Sequence, residues 1–155
     1  MNQAKTAGPS KPEFALQHLY VKDISFESPK SPEVFSGKWD PETNVELSSQ
    51  SRELNDKMHE VVLTVTVTCK TEGSAAYIVE VEQAGIFMVN NFSSEQLEHF
   101  LAVYCPTMLF PYSREVVSSM IVKGGFAPIY LAPFNFEELY RQRDNHQEER
   151  LARQG

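Results

Sequence analysis

The stretch Glu60-Val-Val-Leu-Thr-Val-Thr-Val-Thr-Cys69, Lys70-Thr-Glu-Gly-Ser74, Ala75-Ala-Tyr-Ile-Val-Glu-Val-Glu-Gln-Ala-Gly-Ile-Phe87 decides the fold. Its first part alternates: Val61, Leu63, Val65 and Val67 share one parity, and Thr64, Thr66 and Thr68 share the other. Period two with β-branched residues is the pattern of a strand buried on one face. The last part alternates as well, with Tyr77, Val79 and Val81 against Ile78, Glu80 and Glu82. Gly73 and its polar neighbours supply a turn, so the two segments form an antiparallel hairpin. Ile78 stands among acids on a face that otherwise reads as solvated, which marks that face as a candidate contact surface.

The flanking sequence adds two strands before this hairpin. Phe14–Phe26 has Phe14, Leu16, Tyr20, Ile24 and Phe26 on one parity, interrupted at His18 and Lys22. Asp23 and Glu27 fall together on the other. Ser28-Pro-Lys-Ser-Pro32 is a loop, because two prolines block regular pairing. Val34, Phe35 and Trp39 follow in an irregular stretch and need a surface to cover or a ligand to meet; in the first case Trp39 pins the loop to the core. Asn44–Ser48 alternates again and is a strand; Ser49–Asp56 is a polar connection into the hairpin.

Helices follow. Ser93 and Gln96 have capping-box spacing, so a helix begins there. Leu97, Phe100, Leu101, Tyr104, Met108, Val116, Val117, Met120 and Ile121 carry an apolar stripe that stops at Gly124-Gly125. Pro106 and Pro111 lie inside, and an interior proline costs on the order of 3 kcal/mol, so a kink or brief break is expected near Pro106–Pro111. After the apolar linker Phe126–Pro133, Asn135 caps a second helix with Phe136, Leu139 and Tyr140 on one stripe. From about Arg143 the chain is polar and expected to fray. The fold class is α+β: a four-stranded antiparallel sheet, one long kinked helix and a shorter C-terminal one. Residues 1–12 read as a disordered leader, 13–142 as the folded domain and 143–155 as a flexible polar tail.

Composition narrows the function. The 155 residues are 41% hydrophobic and 23% charged, as in ordinary globular chains, with a net charge of −7. Both ends are net basic, so the body between is more acidic than the total. That balance disfavours nucleic acid and favours a basic protein partner. No apolar run approaches the roughly 20 residues of a membrane helix, and no signal core is visible, so a cytoplasmic location is expected. Cys69 and Cys105 form no metal-binding pair, and His18, His59, His99 and His146 show no ligand spacing, so neither metal nor cofactor is expected. Cys105 near His99 reads as helix core rather than a nucleophile. The residues alone describe a binding protein.

The sequence also resembles the SecB protein-export chaperones over about residues 14 to 141. The resemblance rests on Tyr20-Val-Lys-Asp-Ile-Ser-Phe-Glu-Ser-Pro29, Glu60–Thr68, Gln83-Ala-Gly-Ile-Phe87, Tyr104-Cys-Pro-Thr-Met-Leu-Phe-Pro-Tyr-Ser-Arg-Glu115 and Leu131-Ala-Pro-Phe-Asn-Phe136. It implies a homotetramer built as a dimer of dimers, with Val79, Val81 and Gln83 tied to assembly. It implies an ATP-independent chaperone that keeps unfolded preproteins translocation-competent and delivers them to the SecA motor through Asp23, Glu27, Ile78 and Glu80. It implies client grooves lined by Trp39, Tyr77, Phe136, Leu139 and Tyr140. In the family the C-terminal tail also touches SecA and is often acidic; here Arg143, Arg150 and Arg153 give it mixed charge. A hotdog-like acyl-binding or thioesterase domain is the alternative, with Glu95 at the helix start as its one candidate carboxylate.

Overall fold

The computed structural model describes residues 11–154; most of the expected leader lies outside them. Strands β1 (Glu13–Glu27), β2 (Glu42–Asn55), β3 (Met58–Thr71) and β4 (Ser74–Asn90) form one antiparallel sheet in the order β1-β4-β3-β2. The central hairpin is β3–β4, with Val65 opposite Val81 and Val67 opposite Val79. Glu72 and Gly73 turn it with φ of 51° and 76°. Two successive positive φ values match the right-handed twist of the flanking strands, which is why a two-residue loop suffices.

Strand β2 corrects the expected polar connection. It continues from Ser48 through Asn55, pairing Ser49 with Leu63 and Ser51 with Val61. A strand at the sheet edge needs no apolar alternation, because its ladder comes from the neighbour and its side chains stay solvated. A tight turn follows, where the Lys57 amide donates to Asn55 Oδ1 at 3.1 Å.

Strand β1 corrects a second expectation. Register shifts fall between Leu16 and His18 and between Val21 and Asp23. They coincide with the two interruptions in the parity. Phe14, Leu16, Ile24 and Phe26 pair with helix-facing positions of β4, whereas Tyr20 pairs with Ala84 on the outer face, and Leu19 and Val21 turn inward. One extra residue at each bulge re-aims the segment between them.

The long helix begins at the expected capping box, with the Gln96 amide donating to Ser93 Oγ at 3.2 Å and the Ser93 amide donating to Gln96 Oε1 at 3.0 Å. It runs as α1 (Ser94–His99), a π-helical turn (Phe100–Tyr104) and α2 (Cys105–Lys123). The kink expected near Pro106–Pro111 takes the form of this π turn, just ahead of Pro106. The Cys105 amide reaches back five residues to the Phe100 carbonyl, and the widened turn makes room for the ring of Pro106. The helix ends as expected. Gly125 has φ 89°, its amide bonds the Val122 carbonyl at 3.0 Å, and the Phe126 amide bonds Ile121 at 3.2 Å. That pair of bonds is a Schellman stop. Asn135 Oδ1 accepts from the Glu138 amide at 3.1 Å and starts α3 (Phe136–Arg153). The stretch expected to fray from Arg143 is helical to Arg153, its side chains exposed.

The core lies between the inner sheet face and the long helix. Val61, Leu63, Val65, Val67, Val79 and Val81 are wholly buried there with Leu109, Val117 and Ile121. Gly85 lets the helix approach: a Cβ would lie 2.9 Å from Leu16, 2.9 Å from Phe87 and 3.2 Å from Leu109. On the outer face Glu60 ties three strands together. It accepts from the Tyr20 hydroxyl and from Lys22 Nζ at 2.9 Å, with Arg52 at 3.4 Å. These bonds, first that from Tyr20, hold the Glu60 carboxyl below 4.5, while burial and the facing carboxylate push Tyr20 up to about 12.

Two outcomes follow. Gly85→Val should cost about 1–3 kcal/mol, because the added methyls meet a packed helix; the urea midpoint measures it. The Glu60 contribution to stability is complete above pH 4.5 and is lost as pH falls through its depressed folded value. The Tyr20 contribution is complete below pH 10 and is lost as pH rises toward 12. Glu60→Gln should therefore flatten the acid side of a stability–pH profile; an unchanged acid slope would exclude Glu60 as its source.

Candidate functional site

The outer face of β1 and β4 carries the first candidate surface. Direct cross-strand pairs are Asp23 with Glu82, Ser25 with Glu80, and Glu27 with Ile78. Positions opposite one another lie about 5 Å apart, so Asp23, Glu27, Ile78 and Glu80 form one contiguous patch. Glu80 is oriented by Thr66, whose hydroxyl donates to Glu80 Oε2 at 3.2 Å. Among the described residues, the ion pairs engage Glu60 and Glu137 and none of these acids. The patch thus presents uncompensated negative charge around one half-buried isoleucine.

The second candidate surface splits in two. At one end of the inner face, Trp39 stacks on Phe126 with centroids 5.7 Å apart, and Phe126 meets Tyr77 at 4.9 Å and Phe35 at 5.3 Å. Trp39 and Phe35 are half exposed, whereas Tyr77 lies beneath them at 1% exposure, paired across the strands with Cys69. Burial raises the Tyr77 pKa well above its ordinary range. The loop carrying Trp39 is pinned by Thr71, whose hydroxyl donates to the Lys38 carbonyl at 3.0 Å and accepts from the Asp40 amide at 3.1 Å.

The other part lies under α3. Leu139 and Tyr140 face Leu47 of β2 and Ala102 of the π turn across a cavity of about 220 Å³, with Phe136 at its end. A neighbouring cleft of about 510 Å³ continues along Leu97 and Leu101 to Ser51. Phe136 anchors the helix, 4% exposed and 6.1 Å from the Phe110 ring. His99 and Glu137 join the long helix to α3 at 2.7 Å, and the Tyr140 ring packs edge-on against His99. Burial, then the carboxylates of Glu98, Asp144, Glu95 and Glu137, raises the Tyr140 pKa. The cleft mixes apolar groups, Leu97, Leu101 and Ala102, with the charged Glu98, Arg143 and Asp144. Among the described residues no ring contact joins Trp39 and Tyr77 to Phe136 and Tyr140.

Sequence reasoning missed Phe126 and Leu47. Phe126 read only as part of an apolar linker. The signal was available: the residue two past the end of a Schellman stop usually packs back on the structure. Leu47 read only as part of the alternating strand Asn44–Ser48, and strand alternation does not record which helix packs across it. Val79, Val81 and Gln83 are at most 2% exposed within the single chain, under the long helix. Glu95 is exposed in the first turn of α1 and lines none of these cavities. It does not supply the poised carboxylate of the acyl-binding alternative. Cys105 is buried, which raises its thiol pKa far from the reactive range.

Residues 7–147 match the family described as preprotein translocase subunit SecB. The chain is 55% identical over 139 residues to a protein-export protein SecB of Thioalkalivibrio sulfidiphilus, covering 88% of this chain and 83% of that one. It is 46% identical over 149 residues to that of Nitrosococcus oceani, covering 95% and 91%. In fold it is similar to a Mycobacterium tuberculosis SecB-like chaperone solved with an antitoxin peptide, with a TM-score of 0.66, 14% identity and coverage of 79% and 91%. With no support left for an acyl-binding domain, the chain belongs to the SecB family of non-catalytic protein-export chaperones.

Proposed function

We propose that this chain is a cytoplasmic, ATP-independent holdase that binds unfolded preproteins along its apolar clefts and hands them to SecA through the acidic sheet face. The carrying observation is the separation of two surfaces on opposite sides of one sheet. The inner side offers exposed aromatic and aliphatic groups without a demanding shape, which suits an unfolded chain. The outer side offers negative charge around Ile78, which suits a cationic partner surface. A client can therefore stay bound while the motor docks.

Client holding falls to the Trp39–Phe126 stack and the cleft of Leu139, Tyr140 and Phe136. Tyr77 supports the stack from beneath rather than touching the client. Each patch binds weakly, and one long client that occupies several gains avidity, because each later contact is intramolecular. Holding then competes with client folding as a binding equilibrium and needs no nucleotide.

Assembly is the third element. Leu19, Val21 and Tyr112 stay more than a third exposed beside Pro111 and Val116, and β1 is a free sheet edge. We assign this side of the chain to contact with a second copy, two such pairs completing a tetramer. Val79, Val81 and Gln83 act on assembly indirectly, through the seat of the long helix that they form.

Three outcomes test this reading. Asp23→Lys and Glu80→Lys should each weaken SecA binding by about tenfold or more, since a charge reversal replaces attraction by repulsion. Client holding should survive; equal loss of both activities would remove the assignment of the patch. Trp39→Ala combined with Tyr140→Ala should weaken client holding several-fold with SecA binding intact, as read by capture of a denatured preprotein. The solution mass should be about four times the chain mass of 17.6 kDa, and a monomer by light scattering would contradict the assembly.

A further inference from the structure

Glu60 and Gln83 are buried polar residues that neither client holding nor docking uses directly. Both converge on one feature, the irregularity in β1 at Lys22. Val21 and Asp23 have the same sequence parity, yet Val21 pairs with Gln83 on the helix side and Asp23 pairs with Glu82 on the outer face. A regular strand cannot do this, because its side chains alternate strictly. Lys22 is the extra residue that makes both placements possible.

The bulge is held from both faces. Outside, the Tyr20 hydroxyl and Lys22 Nζ, one on either side of Val21, both donate to Glu60, which also has Arg52 at 3.4 Å. One carboxylate on β3 thereby ties the edge strand β1 across β4. Inside, Gln83 Nε2 donates to the Tyr20 carbonyl at 3.1 Å, and Gln83 is 2% exposed. The glutamine's Oε1 has no partner among the described residues, so the residue is not there to complete a polar network; its amide is spent on the bulge.

We infer that Glu60 and Gln83 are positioning residues for partner docking: they clamp the Lys22 bulge and so aim Asp23 and Glu27 outward beside Ile78 and Glu80. A surplus residue in a ladder can migrate along the strand, and each one-residue step turns the side chain it passes to the other face. Migration toward Glu27 would turn Asp23 inward and Ile24 outward. β1 has β4 on one side only, so side-chain bonds rather than a second ladder must stop it. Deleting Lys22 would leave a regular alternation, with Val21 inward and Asp23 outward and no clamp required.

This inference rests on the acidic face being the SecA-docking surface. The test uses the full-length chain and its Glu60→Gln, Gln83→Met and Asp23→Lys variants, and Gln83→Met with Lys22 deleted. SecA affinity, client holding and assembled mass are measured for each. Glu60→Gln and Gln83→Met should each weaken SecA binding by about tenfold, the effect of misplacing one interfacial charge, with holding and mass unchanged in Glu60→Gln; Gln83→Met, whose residue also helps seat the long helix, is compared with the parent on the fraction of equal assembled mass. Deleting Lys22 should restore the affinity of Gln83→Met to near that of the parent. Parental affinity in both single variants overturns the inference. So does a loss that the deletion fails to restore, or one that in Glu60→Gln is accompanied by lost assembly or holding. If Asp23→Lys itself binds SecA like the parent, the docking surface is misassigned and the inference falls with it.

Discussion

The inner face of the β3–β4 hairpin must be covered. Val61, Leu63, Val65, Val67, Val79 and Val81 are entirely removed from water, and each buried aliphatic side chain contributes on the order of 1.5–3 kcal/mol. One segment has the length and the apolar stripe to cover them, the long helix. Its position then dictates the rest. Gly85 sets how close it lies, the Schellman stop returns Phe126 to the sheet, and the linker carries α3 back over the π turn. Both surfaces proposed for clients are by-products of that return path.

The same constraint leaves the other sheet face free. A sheet covered on one side can offer its second side to water or to a partner, and here that side carries Glu60, Glu80, Glu82, Asp23 and Glu27. Folding does not require acids at these positions. Asp23 directly opposite Glu82 works slightly against the pairing of β1 with β4. A cationic partner would relieve that repulsion, which connects the local electrostatics of the pair to the proposed docking role.

The capping box at Ser93, the glycine stop and the Asn135 cap were legible because each rests on contacts within a few residues, and the central hairpin because its two alternating segments flank a turn sequence. The features that escaped depend on neighbours distant in sequence. Ser49–Asp56 forms a strand because β3 offers a ladder, not because its own pattern demands one. Pro106 was visible, but the π turn that accommodates it begins six residues earlier, at Phe100. The interruptions at His18 and Lys22 were visible as irregularities, yet only the pairing with β4 shows that they are bulges that turn Leu19 and Val21 inward. Of the candidate site, the acidic patch followed from strand parity together with family resemblance. The client surfaces did not: Phe126 and Leu47 join them through the return of the chain, and no periodicity records that.

The most direct test of the account is the refolding of a chemically denatured preprotein with and without this protein, followed by addition of SecA. The account predicts that refolding stalls in proportion to the assembled chaperone, without nucleotide, and that the stalled client is then found in a complex with SecA. Refolding at an unchanged rate would contradict the holdase function, and a stalled client that SecA does not join would contradict the docking face.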